Sequence, residues 1–106
     1  MSTKSKRKWF KLEDLERRLG PATIGMFVRS FRESDEISQA NFAKKLKISR
    51  QNLCDIEMER KLVSPERAAK FAKILGVPEE VLVQIALQDL LRASELPYRV
   101  QIKAAS

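Results

Sequence analysis

In residues 49–57, SRQNLCDIE, the side chains able to do recognition chemistry and those able only to pack separate onto opposite sides of one helix. Leu53 and Ile56 are three apart and share a face. With that face turned inward, helical geometry sends Arg50, Gln51, Cys54 and Asp55 outward. Arginine can give two hydrogen bonds to guanine O6 and N7, and glutamine two to adenine N6 and N7. Asn52 lies at the edge of the face, within reach of a base or a phosphate. Ser49 caps the helix, and the helix's first backbone N–H groups can receive a phosphate. Asp55 is the discordant member. Its carboxylate repels phosphates, yet it can accept from cytosine N4, orient Arg50 or Gln51, or stand as a plain surface charge. Cys54 reads as a small contact residue, because the chain has no second cysteine to resolve it and only Arg50 and Lys47 lie near to lower its pKa.

A second short helix must hold this one in place. Upstream, Phe42 and Leu46 are four apart on one face, Ser38 is a natural N-cap, and Ile48 falls in the turn before Ser49. Two helices this short cannot bury both apolar stripes alone, so flanking segments supply the rest of a core. The pattern over 39–58 resembles the helix-turn-helix of the Cro/cI-type (XRE) family of DNA-binding domains, and the likeness runs from about residue 24 to 75. Gln39 opens the first helix, Ala43 is the small residue at the crossing, Ile48 plugs the turn, and Ser49-Arg50-Gln51 opens the recognition helix. Lys47 and Glu59 stand where the family usually has glycine. Each is then expected at positive φ, at a cost of about 1 kcal/mol.

The resemblance implies that Gln39 bonds a phosphate and braces a side chain of the recognition helix. It also implies that the loop carrying Arg60 and Lys61 runs along the DNA backbone, with Lys47 adding charge at the turn. The end of the preceding helix approaches the backbone too. There Arg29 and Arg32 lie on the polar side of 22–34, opposite Ile24, Phe27, Val28 and Phe31.

Beyond this unit, Ser64-Pro65-Glu66 is a helix start, with Ala68, Phe71, Ala72 and Leu75 as its stripe and Gly76 as its end. Residues 79–94 are apolar around much of the circumference, more than one buried stripe requires. A second copy of the chain is the economical cover. Tyr98, Val100, Ile102 and Ala104 alternate with polar residues, the period of a half-buried strand. A single strand leaves its backbone unpaired, so its mate is expected outside the chain, in a second subunit or a partner's sheet edge. The other reading is a frayed tail. Leu12, Leu15 and Leu19 form a stripe ended by Gly20-Pro21, an extra N-terminal helix. Residues 1–8 carry four positive charges and no negative ones, either a solubilising terminus or an arm for phosphates.

Composition sets the outer bounds. The chain has 106 residues and a net charge of +7, suiting one domain and a polyanionic partner. It contains no histidine, so neither a His-based catalytic set nor a Cys/His zinc site can be assembled. No catalytic residue, cofactor or metal is therefore expected. No apolar run nears the roughly 18 residues that span a membrane, and the single cysteine fits a reducing cytoplasm.

The expected fold is all-α: a five-helix Cro/cI repressor-like domain with an extra N-terminal helix and a short C-terminal β-strand. Its divisions are a basic arm at 1–8, the extra helix at 9–21, the helix-turn-helix domain at 22–94 and the strand at 95–106. Function follows as a sequence-specific regulator, a repressor binding a palindromic double-stranded DNA operator as a homodimer. Arg50, Gln51, Cys54 and Asp55 read bases; Gln39, Ser49, Asn52, Arg60, Lys61 and Lys47 hold the backbone. Small size and a partner-seeking C-terminal segment also look like the antitoxin of a HigA-type pair, which would bind a small toxin protein. Asp55, Glu57 and Glu59 suggest the alternative, a protein-interaction module that has lost DNA binding.

Overall fold

Four hydroxyl side chains punctuate the chain and decide where its helices begin. The computed structural model describes residues 22–105. Among them lie helices α1 (Ile24–Ser34), α2 (Gln39–Leu46), α3 (Arg50–Glu57), α4 (Pro65–Leu75) and α5 (Glu79–Ala93). Thr23, Ser38, Ser49 and Ser64 each accept from the backbone N–H three residues on, at Met26, Asn41, Asn52 and Arg67. Each such cap satisfies a donor the helix cannot, at about 1 kcal/mol. α5 starts after Pro78 without a side-chain cap, but Glu79 and Glu80 in its first turn suit the positive end of the helix dipole.

The helix ends depend on left-handed residues. Lys47 closes α2 at φ 63° and Glu59 follows α3 at φ 60°, both where the resemblance places glycine. Glu36 and Glu95 take the same conformation, at φ 57° and 58°. Nothing in the sequence reading pointed to those two. At the end of α4 the residue is a glycine, Gly76, at φ 73°.

Every apolar position expected to face inward in α1 to α4 is buried: Ile24, Phe27, Val28 and Phe31; Phe42, Ala43 and Leu46; Leu53 and Ile56; Ala68, Phe71, Ala72 and Leu75. Phe31 stands between Phe27 and Phe42, with ring centroids 6.2 and 6.3 Å away. Val63, in the loop before α4, joins them. α5 lies along α4, and α3 is clasped between α1 and α2. Gly25 makes that clasp close. A Cβ at this position would strike the Ile56 carbonyl oxygen, so the start of α1 and the end of α3 touch through bare backbone.

The C-terminal segment corrects an expectation. No strand forms among the described residues of 95–105. Instead, side chains of α5 catch the backbone of this segment. Gln88 donates from Nε2 to the Tyr98 carbonyl at 2.8 Å and accepts from the Val100 N–H at 2.7 Å. Gln84 accepts from the Ile102 N–H at 3.3 Å. Alternation does not make a strand here, and two glutamines supply bonds of the kind a neighbouring strand would. The extra N-terminal helix and the basic arm lie outside the described residues. On α5, Val81, Leu82, Ile85 and Ala86 are buried while Leu90 is exposed, as are Leu96 and Tyr98 beyond it. Among the described residues no helix is long and apolar enough to cross a membrane.

Candidate nucleic-acid interface

α3 is held from behind by a buried ionic cluster. Leu53, Ile56 and Glu57 follow the i, i+3, i+4 spacing of one helix face, so Glu57 is carried inward with the two apolar residues and is 6% exposed. Arg32, one position after Phe31 on α1, meets it side-on. Arg32 Nε donates to Glu57 Oε2 at 2.8 Å and Nη2 to Oε1 at 3.0 Å. Arg32 Nη1 donates to the Ile37 carbonyl at 3.0 Å, tying in the loop before α2. Gln39 Nε2 completes the set, donating to Glu57 Oε1 at 3.0 Å. The hydrogen bond to Glu57 raises the Arg32 pKa above its ordinary value, against the opposing effect of burial. Among the described residues no buried side-chain nitrogen or oxygen lacks a partner.

This cluster revises two sequence expectations. Arg32 is turned to Glu57 with 15% of its side chain exposed, rather than standing with Arg29 on the polar side of the helix. Arg29 does face outward, on Glu33 at 3.1 Å. Glu57 is a brace, not a surface acid. The signal was present in the spacing of 53, 56 and 57, and of 28, 31 and 32, but polar residues at those positions read as surface. Gln39 does bond a side chain of the recognition helix, as the resemblance implied, and that side chain is Glu57.

On the opposite side of α3 the outward residues stand together. Arg50 is exposed at the first helical position, and Gln51 beside it donates from Nε2 to Asp55 Oδ1 at 3.1 Å. Arg60 reaches the same oxygen, from Nε at 3.2 Å and Nη2 at 3.0 Å, and its Nη2 lies 3.7 Å from Cys54 Sγ. The bond to Asp55 is also the main cause raising the Arg60 pKa. Lys61 Nζ donates to Asn52 Oδ1 at 2.7 Å, linking two of the expected backbone residues. Ser49 Oγ accepts from the Asn52 N–H at 3.0 Å, leaving its hydroxyl hydrogen to give. Lys47 is exposed in the turn below. Of the expected site residues, only Gln39 is engaged in the buried cluster; the rest gather on or around the outward face. Among the described residues no group of His, Cys, Asp and Glu could hold a metal ion.

Chemically, this surface offers a guanidinium unpaired among the described residues, an amide, two further cations and a helix N-terminus, with one carboxylate neutralised by Arg60. It is a cationic surface with hydrogen-bonding groups at its centre. A family model described as helix-turn-helix matches residues 28–82, just over half of the chain. No curated protein and no solved structure matches it.

Proposed function

The chain belongs to the helix-turn-helix family, a family of DNA-binding regulators, and from that premise we propose that it is a sequence-specific repressor that binds a palindromic operator as a homodimer. The observation that carries this reading is the two-sided build of α3. Its inner face is locked by Glu57 on Arg32 and Gln39, and its outer face presents Arg50 unpaired among the described residues and Gln51 beside it. Arg50 gives its two donors to a guanine, while Gln51, Cys54 and Asp55 contact neighbouring base edges. Lys47, Ser49, Asn52 and Lys61 hold phosphates, and Gln39 couples a backbone contact to the brace behind the helix. The basic stretch at 1–8 adds further phosphate contacts.

The exposed Leu90, Leu96 and Tyr98 at the far end of α5 support the homodimer, which sets two recognition helices about 34 Å apart on one face of the duplex. The same surface suits a small toxin protein, the reading in which the chain is an autoregulatory antitoxin. A co-transcribed small toxin gene separates that reading from a stand-alone repressor. The non-DNA-binding alternative rested on three acidic residues, and all are engaged: Glu57 inside, Asp55 on Arg60, and Glu59 accepting from the Thr23 hydroxyl.

Fluorescence titration against duplexes from the chain's own promoter tests the proposal. Tight, salt-sensitive binding to one duplex over scrambled controls is expected, and Arg50→Ala should abolish the preference. Retention of the same preference by Arg50→Ala would overturn the assignment of α3. Light scattering of the full chain and of a chain ending at Ser94 tests the dimer.

A further inference from the structure

The carboxylate on the outward face of α3 is the acceptor on which three donors from two segments meet. We propose that Asp55, Arg60 and Gln51 act as one positioning unit that selects a base presenting an amino group in the major groove, and that Arg60 serves through Asp55 rather than on a phosphate. This deepens the DNA-reading assignment above and rests on it.

The unit is built into the backbone. Glu59 at φ 60° turns the chain back at the end of α3, and the Arg60 N–H donates to the Asp55 carbonyl at 2.8 Å. That bond fixes residue 60 beside residue 55 before any side chain is placed. The Arg60 guanidinium then lies on Asp55 Oδ1, with Nη2 also facing Cys54 Sγ. Gln51 Nε2 donates to that same Oδ1. An ionised carboxylate only accepts, so this contact fixes which end of the Gln51 amide faces inward.

Two consequences follow for what the groove meets. First, the Asp55 charge is compensated within the protein, so it does not repel the duplex as a lone carboxylate does. Second, Gln51 Oε1 is directed away from Asp55, and Asp55 Oδ2 has no hydrogen bond among the described residues. The centre of the reading face therefore presents two acceptors. In the major groove the matching donors are cytosine N4 and adenine N6. Guanine O6 and thymine O4 oppose acceptor to acceptor. Arg50, one turn earlier, keeps its own guanine preference.

The test uses the full chain and a duplex selected by it from a randomised pool. Binding of wild type, Arg60→Ala, Asp55→Asn and the double variant is measured by fluorescence anisotropy across a salt series, with all four bases at each half-site position. We expect wild type to discriminate about tenfold for cytosine or adenine at one position. Asp55→Asn should lose that discrimination. Arg60→Ala, exposing the Asp55 charge, should bind about tenfold more weakly, and adding Asp55→Asn should restore most of the loss. The log–log salt slope of Arg60→Ala should equal that of wild type.

A phosphate contact by Arg60 behaves differently. Its loss flattens the slope by about 0.9 per contact, affects all sequences alike, and is not rescued by Asp55→Asn; that result overturns the inference alone. If wild type selects no duplex at all, the DNA-reading assignment fails and this inference fails with it.

Discussion

Glu57 and Asp55 lie two residues apart on α3, and each gathers one arginine and one glutamine. Glu57 has Arg32 and Gln39; Asp55 has Arg60 and Gln51. The chemistry is the same and the solvent is not. The Glu57 side chain is 3% exposed, whereas those of Asp55 and Arg60 are 27% and 55% exposed. Charges taken out of water are expensive, and only full pairing offsets that cost. Charges left in water interact weakly and are screened by salt. The inner cluster therefore fixes where α3 sits, while the outer one arranges what it presents. Composition alone does not assign a carboxylate its task; depth does.

The largest expected effect breaks the inner cluster. Arg32→Ala leaves Glu57 buried without its guanidinium and should cost about 3–5 kcal/mol in urea unfolding. Replacing both partners, Arg32→Met with Glu57→Met, should recover most of that loss. If Arg32→Ala cost no more than Arg60→Ala, the contrast between the two sides would collapse.

Next comes Gly25→Ala, which pushes a methyl into the Ile56 carbonyl and should cost about 1–3 kcal/mol as overpacking. Thermal melting reads it directly. An unchanged melting temperature would mean that α1 and α3 are not held at backbone contact.

A third carboxylate, Asp89, sits between the two extremes and sharpens the comparison. It accepts from the Ile24 N–H at 3.0 Å and pairs with Arg92 at 2.9 Å. Burial is the main cause that raises its pKa above the ordinary 3.8, opposed by the Ile24 N–H and Arg92. The folded chain therefore keeps this proton to higher pH than the unfolded chain does. The group's contribution to stability is full below the ordinary value and declines as pH rises through the raised one, opposite in sign to usual acid denaturation. Asp89→Asn should remove that decline, which stability curves at matched pH values on either side of the carboxylate range would reveal.

The smallest effect belongs to the outer face. Asp55→Asn and Arg60→Ala should each leave the urea unfolding midpoint close to that of wild type, while altering DNA binding. A stability loss of inner-cluster size would show that the outer face holds the fold as well.

Much of the fold was legible because its signals are local. Ser38, Ser49 and Ser64 announce helix starts by type, and Phe42, Leu46, Leu53 and Ile56 announce a buried side by spacing. Lys47 and Glu59 could be placed at positive φ only through the family resemblance, and Glu36 and Glu95 were hidden for want of one. The candidate site was legible as a set but not as pairs. Arg29 and Arg32 look alike in a polar stripe, and nothing local says that only Arg32 has a carboxylate waiting 25 positions later. The tail was missed for a similar reason. Period two reports that backbone groups alternate in direction, not whether a strand or a glutamine receives them.

Those glutamines bear on how the chain avoids open-ended stacking. An alternating segment such as 98–104 is the sort of sequence that templates stacking into fibrils when its backbone is open. Gln88 caps one edge at Tyr98 and Val100 with an amide that resembles a peptide group but belongs to a helix. It cannot propagate a ladder. The capture that denies the segment a strand in this chain also denies that edge to a growing aggregate.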